Sequence, residues 1–297
     1  MLDMLLQFLG LFFLLGGLWF GYHRWIKPHE EQLDFQGRGV LFLVVLTLMG
    51  GFVGSPFWWM DEARSFSWDL PPLASRMLAA AGWSFVVGSY LTLRHPSRRR
   101  IHLVVLLLAV YLVPLVAVIF AFHLDYFDFT APITYAFFAV AGGMSLASLW
   151  YLLRFPKTLP VMPTDNVPTS ALVSLWLTLV AVVTAGWGLA LFLTDSGPLR
   201  WVWVWPGDLL TSRLIGVMLL AIAVGAASSR RYADVARLML AFTATYGLGV
   251  AAASLWNALM GRPIPLAYAL VFSVIFAGST LLLLVNRRKT GLLIRRQ

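Results

Sequence analysis

The polar residues of this chain fall in short clusters, and the apolar runs between them are long enough to cross a bilayer. A span takes about 20 mostly apolar residues at a rise of about 1.5 Å each. Nine segments reach that length, approximately 3–22, 39–59, 72–93, 101–123, 131–153, 170–193, 209–229, 235–257 and 265–286. The turns between them are short and polar or proline-rich, and leave no room for a soluble domain. The pattern predicts an all-α polytopic membrane protein, since in hydrocarbon each backbone polar group must be bonded within its own segment. The first segment begins with Asp3 and ends in bulky aromatics before His23-Arg24-Trp25. It lacks the basic start and small-residue cleavage site of a signal peptide, and is expected to stay as a helix.

Composition supports this. Hydrophobic residues make up 60% of the 297 positions and charged residues 12%, where a soluble domain carries roughly 25% charged. The net charge of +9 does not point to nucleic acid, because the basic residues sit at the ends of the apolar runs. With no cysteine in the chain, disulfides, thiolate metal sites and cysteine nucleophiles are excluded.

Those basic residues orient the spans. Of the 22, one set of alternate loops holds 17, from Arg24 and Lys27 to Arg295 and Arg296, and the other holds 5: Arg64, Arg76, Arg200, Arg213 and Arg262. The positive-inside rule puts the N-terminus outside and the C-terminus in the cytoplasm of a bacterial-type inner membrane, and an odd number of spans requires opposite sides. The Arg94–Arg100 cluster and the Arg287–Arg296 tail are expected to face anionic lipid.

The chain also repeats. At an offset of 137, Trp68, Leu73, Ser75, Arg76, Arg94 and Arg100 meet Trp205, Leu210, Ser212, Arg213, Arg231 and Arg237. At 133, Pro132 and Tyr135 meet Pro265 and Tyr268, and Arg154 meets Arg287. This predicts an N-terminal helix and loop (1–38), a four-helix unit (39–154), a cytoplasmic linker (155–169) and a second four-helix unit with a basic tail (170–297). Four spans per copy keep both copies in one orientation, a parallel repeat about an axis normal to the membrane.

Candidate chemistry is sparse. All thirteen carboxylates lie in loops or at helix ends, and no Lys or Arg sits at mid-span. Ion-coupled carriers and proton relays place such groups within the membrane. Among the five histidines, His102 and His123 are the candidate haem or chlorophyll ligands. They lie about 30 Å apart along one helix, and Tyr232 stands in the second copy where the first has His95, so no matched bis-histidine set forms. No resident cofactor, catalytic residue or metal site is expected. Gly142-Gly143-Met144-Ser145, Gly216, Gly225, Gly247 and Gly249 read as helix-packing positions.

The outer face is more distinctive. Trp58 and Trp59 close one apolar run, and Trp201, Trp203 and Trp205 alternate, which would align them along one side of an extended segment. They read as an interfacial belt or as docking aromatics for a partner protein in the membrane. Arg76 and Arg213 lie near helix N-termini, where the helix dipole disfavours a cation. They are candidate anion or lipid contacts, with Asp61, Glu62, Asp69, Asp195 and Asp208 as candidate counter-charges. Three functions follow from these features: a non-catalytic subunit or scaffold of a membrane complex, a transporter or flippase for a neutral or amphipathic solute, and a pigment-binding protein or membrane enzyme using the peripheral histidines.

Overall fold

In a computed structural model the chain is all-helical. The structure describes residues 2–62, 68–159 and 166–294, with side chains for 10–62, 68–159 and 166–285. Arg64, Asp165 and the basic side chains from Arg287 to Arg296 lie outside the described residues. Nine α-helices run through the described residues: α1 Leu2–Gly21, α2 Phe35–Trp59, α3 Pro72–Arg94, α4 Arg98–Phe122, α5 Pro132–Leu153, α6 Ala171–Leu193, α7 Leu209–Ser229, α8 Ala233–Leu259 and α9 Leu266–Ile294. Seven of them, α2 and α4 to α9, are long and apolar enough to cross a membrane, and the protein is membrane-embedded.

Of the nine expected spans, α3 falls outside this set, and α1 has described side chains only from Gly10 onward. For α3 the reason is its position. It lies between α2 and α8, and 15 of its 23 residues are buried, among them Ser75, Arg76, Ser84, Ser89 and Thr92. A helix wrapped by other helices meets little lipid, so its composition is free to be more polar. Ser84 and Thr92 return their hydroxyls to the carbonyls of Ala80 and Gly88 one turn back, at 2.7 and 2.8 Å.

The helix starts follow from local chemistry. Asp34, Ser97, Ser170 and Asp208 cap α2, α4, α6 and α7 by accepting the backbone N–H three residues on. Pro72 and Pro132 occupy first-turn positions of α3 and α5, where no intrahelical N–H is needed.

In the first half α2 lies on α3 and α4 on α5; in the second α6 lies on α7 and α8 on α9. The halves meet where α3 packs on α8 and α4 on α7. Backbones touch at these seams. A Cβ on Gly188 would lie 2.9 Å from the Gly216 carbonyl oxygen, and one on Gly216 would lie 2.9 Å from that of Gly188. This closeness binds α6 to α7 and is possible only without side chains. Gly142 and Gly143, expected to serve packing in α5, do not: a Cβ at either meets nothing within 4 Å. The buried side of α5 is instead the Thr134, Ala141, Ser145 and Ser148 side, and Gly143 faces outward. Tyr135 and Tyr268, aligned by the repeat, also differ, being 61% and 0% exposed.

Candidate functional site

Two groups of polar side chains tie the helices together, one at each end of the bundle. The first group is built on the two arginines singled out above. Arg76, on the first turns of α3, is buried and donates from Nη1 to the Pro72 carbonyl at 3.0 Å. Its guanidinium lies 5.4 Å from the centre of the Trp256 ring of α8, within cation–π range. Asp61 and Arg262 are its charged neighbours. Its Nε is shielded and unbonded among the described residues.

Arg213, on the first turns of α7, is half-buried. Nη1 lies 2.7 Å from His123 Nε2, Nε donates to the Phe192 carbonyl at 3.3 Å, and the guanidinium sits 5.3 Å from the Phe122 ring centre. One side chain thus joins α7 to the ends of α4 and α6. The carboxylates expected near it are not its hydrogen-bond partners. Asp208 caps α7 by accepting from Thr211 N–H at 3.0 Å. Since arginine only donates, His123 Nε2 must be the acceptor, so the imidazole is neutral and carries its proton on Nδ1. Its surroundings agree. Burial and the adjacent Arg213 hold the His123 pKa below the ordinary histidine value, against a smaller opposing effect of Asp208.

The tryptophans are mostly turned inward. Trp58 packs over Gly54 and Gly82, and its carbonyl accepts from Ser75 Oγ at 2.6 Å. Trp59 lies 5.1 Å from Trp83 and 6.5 Å from Trp256, so α2, α3 and α8 share an aromatic cluster. The segment holding Trp201, Trp203 and Trp205 is turned, not extended, because the N–H groups of Val202 and Trp203 both fold back to the Leu199 carbonyl. The three rings therefore diverge instead of aligning. Trp203 Nε1 donates to the Thr194 carbonyl at 2.8 Å, Trp205 is buried near Tyr268, and Trp201 is the exposed one. Tyr268 fastens this loop, accepting from Trp187 Nε1 at 3.2 Å and donating to the Val202 carbonyl at 3.0 Å.

The second group, at the opposite end, escaped sequence reasoning. Arg100 of α4 donates from Nε to Asp234 Oδ1 of α8 at 2.7 Å, and from Nη2 to the same oxygen. It also donates from Nη1 to the Leu91 carbonyl at 3.1 Å, and Ser97 Oγ reaches Asp234 Oδ2 at 3.3 Å. The two charged side chains are only 15% and 6% exposed. A signal for this pair was present: the repeat offset of 137 places Ser97 on Asp234 and Arg100 on Arg237. The partner choice across the two halves was not readable from it. Nearby, Arg99 stacks on Tyr232 and donates to Asn166 Oδ1 at 3.0 Å.

The other histidine candidate, His102, is exposed near the start of α4, with its ring 5.1 Å from Phe155. His102 and His123 sit at opposite ends of α4 and do not meet. Among the described residues no three His, Asp or Glu side chains converge as a metal site. No protein family, curated protein or solved structure matches this chain.

Proposed function

We propose that this chain is a non-catalytic structural subunit of a larger membrane complex. The observation that carries the reading is the use made of its polar side chains. Arg100 and Asp234 are taken up by each other, and Arg213 by His123 and the Phe192 carbonyl. These charged groups are committed to joining helices.

In this reading the chain has nine spans, with the N-terminus outside and the C-terminus in the cytoplasm, and helices two to five and six to nine are copies of one unit. Support for the duplication comes from packing. Adding four to each helix number turns the α2–α3 and α4–α5 pairs into α6–α7 and α8–α9, and exchanges the α3–α8 and α4–α7 seams. The arginines obey the same relation: Arg76 of α3 stacks on Trp256 of α8, and Arg213 of α7 on Phe122 of α4. The copies differ at α5. Its outward face, with Ala136, Ala139, Gly143 and Tyr135, is open where α9 holds Tyr268 inside. Small residues at such spacing let a second helix approach closely, and this face is where a partner span would dock.

Gentle detergent extraction followed by native mass spectrometry tests the proposal. The expected result is a stoichiometric co-purifying membrane protein that is lost on Gly143→Leu. A stable lone monomer from native membranes would refute it. The relation between the halves also favours a second reading, a carrier for an amphipathic solute that rocks about the α3–α8 and α4–α7 seams with polar ties at each end. Reconstituted vesicles showing solute-dependent uptake abolished by Arg100→Ala would favour that reading over the first.

A further inference from the structure

A cavity of about 610 Å³ opens where the N-terminal helix ends. Phe20, Arg24, Trp25 and His29 line one wall, and Tyr90 and Arg94 of α3 line the other. The volume falls within the usual range for small-molecule sites, about 300–1,000 Å³. Its charged groups are of one sign. Neither arginine has a hydrogen-bond or ion-pair partner among the described residues, and His29 Nδ1 is shielded with nothing bonded to it. The neighbouring acid, Glu30, is held elsewhere, by Arg38 at 2.9 Å and the Tyr22 hydroxyl at 3.4 Å. Two cations with unused donors therefore line a space bounded by aromatic rings.

Depth narrows the ligand. Arg24 follows the last turn of apolar α1 and Arg94 is the last residue of α3, so the cavity sits at the boundary between hydrocarbon and headgroups. An anion of that depth in a bilayer is a lipid phosphate, and the exposed rings of Phe20 and Tyr90 offer apolar surface on the hydrocarbon side. We propose that this cavity binds the phosphate of an anionic phospholipid, with Arg24 and Arg94 as its charge partners and Phe20 and Tyr90 against its acyl chains. A phosphatidylcholine headgroup fits worse, because its quaternary amine would be brought against the same two guanidinium groups. The site is independent of the subunit and carrier readings above.

The test uses the full chain, delipidated in a neutral maltoside detergent. Native mass spectrometry and thermal unfolding read its binding of phosphatidylglycerol, phosphatidylcholine and inorganic phosphate. Phosphatidylglycerol is expected to remain bound and raise the unfolding temperature, and phosphatidylcholine to do neither. Arg24→Gln and Arg94→Gln are each expected to weaken phosphatidylglycerol about tenfold, equivalent to about 1.4 kcal/mol. Arg231→Gln, which removes an exposed charge elsewhere on the same face, is expected to change it by less than about threefold at physiological salt, where long-range attraction is screened. Equal losses in all three variants would overturn the site in favour of diffuse surface charge. The same shift from millimolar inorganic phosphate alone would overturn the lipid and leave a soluble phosphate as ligand. Equal binding of phosphatidylcholine would overturn the charge argument.

Discussion

The Arg100–Asp234 pair gives the sharpest test of how the two halves are held. Replacing Asp234 with Ala removes the partner of both Arg100 Nε and Nη2 and, among the described residues, leaves that guanidinium the Leu91 carbonyl. Replacing Arg100 with Ala leaves a carboxylate that is 6% exposed and, among the described residues, hydrogen-bonded to the Ser97 hydroxyl at 3.3 Å. Breaking one side of a buried pair costs about 3–5 kcal/mol, because a charge stays behind without compensation. At about 2–4 °C per kcal/mol for a chain of this size class, a loss of about 3 kcal/mol lowers the unfolding temperature by roughly 6–12 °C. The Arg100→Leu/Asp234→Leu double variant leaves no orphan charge and is expected to lose much less than the sum of the singles, about 0–2 kcal/mol. Thermal and detergent-titration unfolding of all four proteins in maltoside micelles would measure this. Single variants each costing under about 1 kcal/mol and adding in the double would refute the reasoning, since that is the behaviour of a solvated surface pair.

Three further outcomes follow from the same geometry. Gly216→Val sets side-chain atoms against the Gly188 carbonyl and is expected to destabilise the fold by at least about 1–3 kcal/mol, whereas Gly142→Ala, which meets nothing within 4 Å, should leave the unfolding temperature of the isolated chain unchanged. His123 has a folded-state pKa below its unfolded value, so the stability it contributes is complete above about pH 6.5 and is lost as the pH falls toward the folded value; unfolding followed from about pH 7.5 to about pH 5 should show a shallower decline for His123→Asn than for the wild type. Arg213→Ala removes hydrogen bonds to His123 and to Phe192 and should lower membrane abundance and stability by about 1–3 kcal/mol; unchanged abundance, measured by immunoblot, with altered activity would mark this arginine as a ligand contact instead.

What the sequence determined by itself is the class of solvent. Runs of about 20 apolar residues bounded by arginines admit few structures other than membrane helices, since hydrocarbon leaves the backbone no other way to bond. Helix starts were equally local, because Asp34, Ser97, Ser170 and Asp208 cap with their own side chains. The matching Trp-…-Ser-Arg segments at the starts of α3 and α7 were also readable, and they singled out Arg76 and Arg213. What tertiary structure alone decided is which face of each helix meets protein and which meets lipid. In a membrane both faces are apolar, so the periodicity that marks a buried face in water is lost. That is why α3 counted as an ordinary span although it is enclosed, and why Gly142 and Gly143 looked like packing residues although Gly143 faces outward. Partner choice is a matter of assembly as well. Asp234 is an unremarkable helix-start acid until α4 and α8 bring Arg100 to it, and Arg213 chose a histidine from α4 over the aspartates near it in sequence. The Arg24–Arg94 cavity lies furthest from what a sequence can show, for its two cations are 70 positions apart and line one space only in the folded chain.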